Sequence, residues 1–148
     1  MKLKTLILTV LCTLVMFSAM GCRLVFEPES DAISRLFASM PTGDNRVIRE
    51  FCDGDKVCDQ LNKLGGLIRS DWYQPKKDFF TFDEIQIDEE SGYSYVYVNL
   101  RMPASGSQRE TTLPLTFEME RIKFRWHIYK VDGLDEYLRR ASRARGIL

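Results

Sequence analysis

Cys52, Cys58, His127 and the turn Asp53-Gly54-Asp55 come nearest, by type and spacing, to metal or acid–base chemistry. Two thiolates at Cys-x5-Cys spacing are half of a closed zinc site, and the single histidine of the chain cannot supply the other half. Asp53-Gly54-Asp55 starts like a calcium loop, but Val57 stands where the next oxygen ligand belongs, so the segment reads as a turn between helices. His127 alternates with Trp126 and shares a strand face with Arg125 and Tyr129, the position of a surface histidine. Asp83, Glu84 and Asp88 lie on or beside the first strand, where alternation can send each to solvent. There is no Gly-x-Ser-x-Gly elbow for a nucleophile. These residues define no catalytic set, no metal site and no cofactor site.

At the amino end, Lys2 and Lys4 precede the apolar stretch LILTVLCTLVMF, the charged and apolar regions of a bacterial export signal. The uncharged run from Thr5 to Cys22 has 18 residues and as a helix would reach roughly 27 Å, so a retained membrane span fits its length too. What distinguishes a cleaved signal is the ending. Ala19-Met20-Gly21-Cys22 resembles the lipobox of bacterial lipoproteins, with Ala19 where leucine is usual. The resemblance implies that residues 1–21 are a signal peptide and that Cys22 becomes an N-terminus carrying a diacylglycerol and, on its amine, a fatty acyl chain such as palmitate. Residues 22–29 are then a tether. Each buried methylene contributes about 0.8 kcal/mol, so two or three chains anchor firmly. Arg23, in place of an aspartate after the cysteine, implies the outer membrane facing the periplasm, with the inner membrane as the alternative. In that oxidising compartment, with Cys12 removed and Cys22 lipidated, Cys52 and Cys58 remain as an even pair and point to a disulfide.

The remaining residues are one domain's worth, 30–148, enough to bury a core without staples. Loss of Lys2 and Lys4 from the 21 basic residues leaves 19 against 21 acidic ones, which excludes nucleic acid as a main partner.

Helical periodicity comes first along the chain. Ser30 can cap a helix bearing Ile33, Leu36, Phe37 and Met40, ended by Pro41; Asp44 can cap a second with Val47, Ile48 and Phe51. A third carries Val57, Leu61 and Leu64 and is stopped by Gly65-Gly66. Four alternating runs follow, FFTFDEIQI, YSYVYVNLRM, TTLPLTFEM and IKFRWHIYKV, the first three separated by loops with Gly92 and Gly106, so neighbours run antiparallel as a meander. The sum is an α+β fold: N-terminal helices on a curved four-stranded antiparallel sheet, with an added C-terminal basic helix at about 134–145. This order, closing on KFRWHIYKVDG, resembles the nuclear-transport-factor-two-like and cystatin-like α+β family. Some enzymes of that family use a carboxylate inside a cone of sheet, so the resemblance permits a small periplasmic enzyme, but no motif identifies the base.

Two surface sets remain. Tyr93, Tyr95 and Tyr97 alternate with Val96, Val98 and Leu100, giving a strand apolar on both faces; with Trp126 they make a candidate face for a protein partner or a small apolar ligand. Phe124, Trp126 and Ile128 join the tyrosines in one hollow if the strand registers agree. In the last helix Leu134, Tyr137, Leu138 and Ala141 form the apolar stripe, and Arg139, Arg140, Arg143 and Arg145 gather where cations suit the helix dipole or meet an anionic surface. The sequence thus reads as a lipid-anchored, non-catalytic binding or envelope-assembly module. The alternatives are the small enzyme and a structural envelope protein acting through its arginines.

Overall fold

A computed structural model of the chain describes residues 27–69, 80–102 and 109–144. Cys22 and Arg145 lie outside them. The elements are α1 (Glu29–Ser39), a 3-10 turn (Met40–Thr42), α2 (Asn45–Phe51), α3 (Asp55–Arg69), β1 (Phe80–Asp88), β2 (Tyr93–Met102), β3 (Thr111–Ile122), β4 (Arg125–Asp132) and α4 (Leu134–Ala144). The strands form one antiparallel sheet in the order β1-β2-β3-β4, and the helices pack on one face of it. This α+β arrangement agrees in general terms with the nuclear-transport-factor-two-like and cystatin-like folds.

The expected stripe of α1 is buried through Ile33, Leu36 and Phe37. Its start differs from expectation: Pro28, not Ser30, is the N-cap, and Ser30 sits inside the first turn. The Pro28 carbonyl accepts from the Ala32 N–H at 3.0 Å, which closes that turn. Pro41 falls in the 3-10 turn that tightens the helix end. Asp44 caps α2 as the sequence suggests, accepting from the Arg46 N–H at 3.0 Å.

Gly65-Gly66 does not stop α3, which runs on to Arg69. Two interior glycines cost about 1 kcal/mol each. Burial of Leu67 and Ile68 beyond them returns roughly 1.5–3 kcal/mol per side chain, so the longer helix wins. Gly65 also has a packing reason, since a Cβ there would lie 3.3 Å from the Ile48 methyl.

In the sheet β2 is buried at every second residue, Ser94, Val96, Val98, Leu100 and Met102 facing the helices. Leu115, Phe117 and Met119 of β3 meet them on the same side. Bulges at Asp83 in β1 and Tyr129 in β4 each leave one residue unpaired, bending the strands and adding twist. Pro114 is tolerated in β3 because β4 pairing begins only at Thr116, so at Pro114 the strand is locally an edge. β3 runs on through Ile122, and β4 starts only at Arg125 after the two-residue turn Lys123-Phe124, so the fourth alternating run is divided between two strands.

Four directed hydrogen bonds lock the helix layer and its flanks. Ser94 Oγ donates to Glu29 Oε1 at 3.0 Å, Gln60 Nε2 to Asp135 Oδ1 at 2.6 Å, Tyr137 Oη to the Arg101 carbonyl at 2.9 Å, and Trp126 Nε1 to the Glu27 carbonyl at 2.9 Å. Each satisfies a polar group that burial would otherwise penalise. Cys52 and Cys58 are joined by a disulfide, with Cα atoms 5.2 Å apart. Cys52 forms a parallel bridge with Ile128, and the Asp53 N–H donates to the Ile128 carbonyl at 3.0 Å, so the cross-linked corner covers part of the β4 edge.

Loss of the bridge in a Cys52→Ser/Cys58→Ser variant is expected to lower stability by about 2 kcal/mol, measured by urea unfolding under oxidising conditions. An unchanged midpoint would mean that the bridge does not hold this corner.

Candidate functional site

The sheet face turned away from the helices is organised in three cross-strand rows. Asp88, Tyr93, Glu120 and His127 form the first, Gln86, Tyr95, Glu118 and Lys130 the second, and Glu84, Tyr97, Thr116 and Asp132 the third. β2 holds the tyrosines at the centre because its other face is committed to the core. The β4 bulge turns Tyr129 in beside them, its ring edge-on to Tyr93 with centroids 5.8 Å apart. The registers do not agree as a shared hollow would require. Trp126 and Ile128 lie on the opposite face, buried among the helices, and Phe124 projects from the β3–β4 turn with 68% of its surface exposed. Alternation counted from the sequence misplaced Phe124 because it lies in the turn and not in the strand.

The rows set the electrostatics. Glu84, Asp88, Glu118, Glu120 and Asp132 stand around the rings, and Lys130 is engaged with Asp132 at 2.8 Å. The Tyr129 phenol is raised from its ordinary 10.0 to about 12, first by its hydrogen bond to Glu120, then by burial and the negative charge around it. Tyr95 is raised as well, by burial first and then by the charges of Glu118 and Asp88. Tyr97 Oη donates to Gln86 Oε1 at 3.3 Å. The surface is therefore aromatic at its centre, acidic around it, and supplied with oriented oxygen acceptors.

The described arginines of α4 gather at the other end of the sheet. Arg139 and Arg140 both engage Glu136. With Arg143 they border a recess of about 520 Å³ that also takes in Met102, Thr111 and Arg109. Arg109 was not legible from the helix pattern. The signal for it was the hairpin itself, because pairing of Met102 with Thr111 returns the chain beside α4.

The acids considered for catalysis are spread out. Asp83 and Glu84 are exposed, and Asp88 is held below the usual carboxylate range by hydrogen bonds from Ser91 and the Glu90 N–H. Among the described residues the displaced carboxyls, Asp44, Asp88 and Glu136, all shift downward through hydrogen bonds to their ionised form. Among those residues no group of three or more His, Cys, Asp or Glu is placed to hold a metal. His127 lies half-buried in the first row, away from Trp126.

Two outcomes follow from this face. Tyr95→Ala is expected to cost about 1 kcal/mol or less, against about 3–5 kcal/mol for Phe117→Ala in the core, both by chemical denaturation. Tyr129 is expected to titrate near 12, falling toward 10 in Glu120→Gln, read by ultraviolet difference absorbance. A folded pKa above the unfolded one means that this hydrogen bond stabilises fully below about pH 10 and is lost as the pH rises through 12.

Compared with known proteins, no family model, no curated protein and no solved structure matches this chain.

Proposed function

We propose that this chain is a lipid-anchored, periplasm-facing lipoprotein of the outer membrane that works as a non-catalytic binding module, presenting its tyrosine face to a protein partner. The observation that carries the binding role is the open face of Tyr93, Tyr95, Tyr97 and Tyr129 set among five carboxylates, on the side of the sheet that the helices leave uncovered. Tyrosine buries area at low entropic cost and accepts a cation over its ring, and the carboxylates add long-range attraction. The partner that fits is a surface carrying lysine or arginine among apolar side chains. Anchoring is supported by Lys2, Lys4, the apolar run and Ala19-Met20-Gly21-Cys22. The enzyme alternative requires a buried acid of raised pKa, whereas among the described residues the displaced carboxyls, Asp44, Asp88 and Glu136, shift downward. The disulfide accords with an oxidising compartment.

The anchoring half is tested by mass spectrometry of the mature N-terminus: an acylated Cys22 is expected, and Cys22→Ser is expected to accumulate as the uncleaved, larger precursor. An unmodified Cys22 within an uncleaved chain would replace the lipid anchor with a retained span. The binding half is tested by quantitative co-purification from crosslinked cells. Tyr95→Ala and Glu118→Lys are expected to lose the partner while staying folded, with melting temperatures within several degrees of wild type, and retention of every partner by both variants would end this reading.

A further inference from the structure

The β3–β4 turn has a composition that its place in the fold does not require. Ile122 and Phe124 are 39% and 68% exposed, and Arg121, Lys123 and Arg125 alternate with them. Lys123 takes a left-handed conformation, φ 59, which makes the two-residue turn tight and sends Phe124 outward. An exposed phenylalanine at a hairpin tip costs solubility and contributes nothing to the core, unless something apolar receives it.

The tip also has a defined neighbour. Trp126, two residues beyond Phe124, holds the Glu27 carbonyl at 2.9 Å, so the described chain begins beside this hairpin. The uncharged run from Thr5 ends at Cys22, five residues before Glu27. Five extended residues span at most about 17 Å. On the membrane attachment proposed above, whether by lipid on Cys22 or by a retained span, a bilayer would lie within about that distance of Trp126.

We propose that the tip formed by Ile122, Lys123 and Phe124 is a membrane-surface contact, in which the two apolar side chains enter the headgroup boundary and Lys123 and Arg125 meet anionic lipid phosphates, while Arg121 lies over the Trp126 ring. A protein groove is the poorer fit, because two apolar side chains bury far less than the roughly 1,200 Å² of a stable interface. Alternating basic and apolar residues match the interfacial layer, where an apolar body is buried while charge remains at the phosphates. Glu89 and Glu90 in the β1–β2 turn lie at the same end of the sheet, so the domain approaches tilted, β3–β4 first. The inference rests on the membrane attachment proposed above but not on its chemistry, since an acyl anchor and a retained span place the tip alike.

The test uses the full chain in nanodiscs of phosphatidylcholine with or without phosphatidylglycerol, with a gadolinium-chelating lipid as relaxation probe. Amide signals of Lys123 and Phe124 are expected to broaden most, more so with phosphatidylglycerol, while those of Thr111 and Arg109 at the opposite end stay sharp. Phe124→Ser, at a site without core contacts, is expected to keep the dispersed spectrum of the fold and to reduce the broadening at Lys123 several-fold. Broadening that is unchanged in Phe124→Ser, that is equal in the two lipid compositions, or that is strongest at Thr111 would overturn the contact, the first because the tether alone then accounts for proximity. The state of Cys22, read separately by mass, tells a failed anchor from a failed tip.

Discussion

The period-two alternation of β2 is the constraint on which the rest depends. Val96, Val98, Leu100 and Met102 point one way and Tyr93, Tyr95 and Tyr97 the other, and β2 is paired along its whole length with β3. A slip of one residue would put three phenols against Phe37 and Phe117 and four aliphatic side chains in water. The described helices pack over β2, β3 and β4 on one side, with rings such as Phe37 and Phe117 edge to face at 5.9 Å, and the tyrosines stand on the other. The separation of fold and candidate function on two faces of one strand follows from that single register.

Periodicity made the layers legible. The apolar stripes of α1, α2 and α4 and the alternation of β2 and β3 are strong local signals, and tertiary packing reinforced them. The disulfide was legible as well, but only through the compartment that the N-terminal residues implied. Misreadings occurred where packing or an irregular backbone overrode a local rule. Gly65-Gly66 reads as a stop, yet Leu67 and Ile68 have a core to enter, and at Gly65 a Cβ would press on the Ile48 methyl at 3.3 Å. Face assignment by alternation holds only within a regular strand. The turn at Lys123-Phe124 removed Phe124 from the count, and the bulge at Tyr129 put Val131, not Lys130, on the helix side. Neither bulge has a glycine or another residue to mark it in the sequence.

The two sheet edges are treated differently. At β4 the cross-linked corner supplies a parallel bridge and a backbone donor to Ile128, so part of that edge is occupied. β1, the other edge, carries Asp83, Glu84 and Asp88, the kind of charge that deters strand-to-strand association. One edge is partly covered by backbone from the cross-linked corner, and the other interleaves charge with the exposed Phe82, Ile85 and Ile87.

The length of β3 works as a ruler. Arg121, paired with Trp126 where the described chain begins, and Thr111, on the rim of the arginine recess, lie ten residues apart along one strand. At about 3.4 Å per residue the two ends stand roughly 34 Å from each other. The β3–β4 tip and the cationic rim of the recess are therefore held at opposite ends of the domain, about one strand length apart, and the tyrosine face runs the length between them. Any body docked on that face would lie alongside the strands, spanning from the hairpin tip toward the arginines.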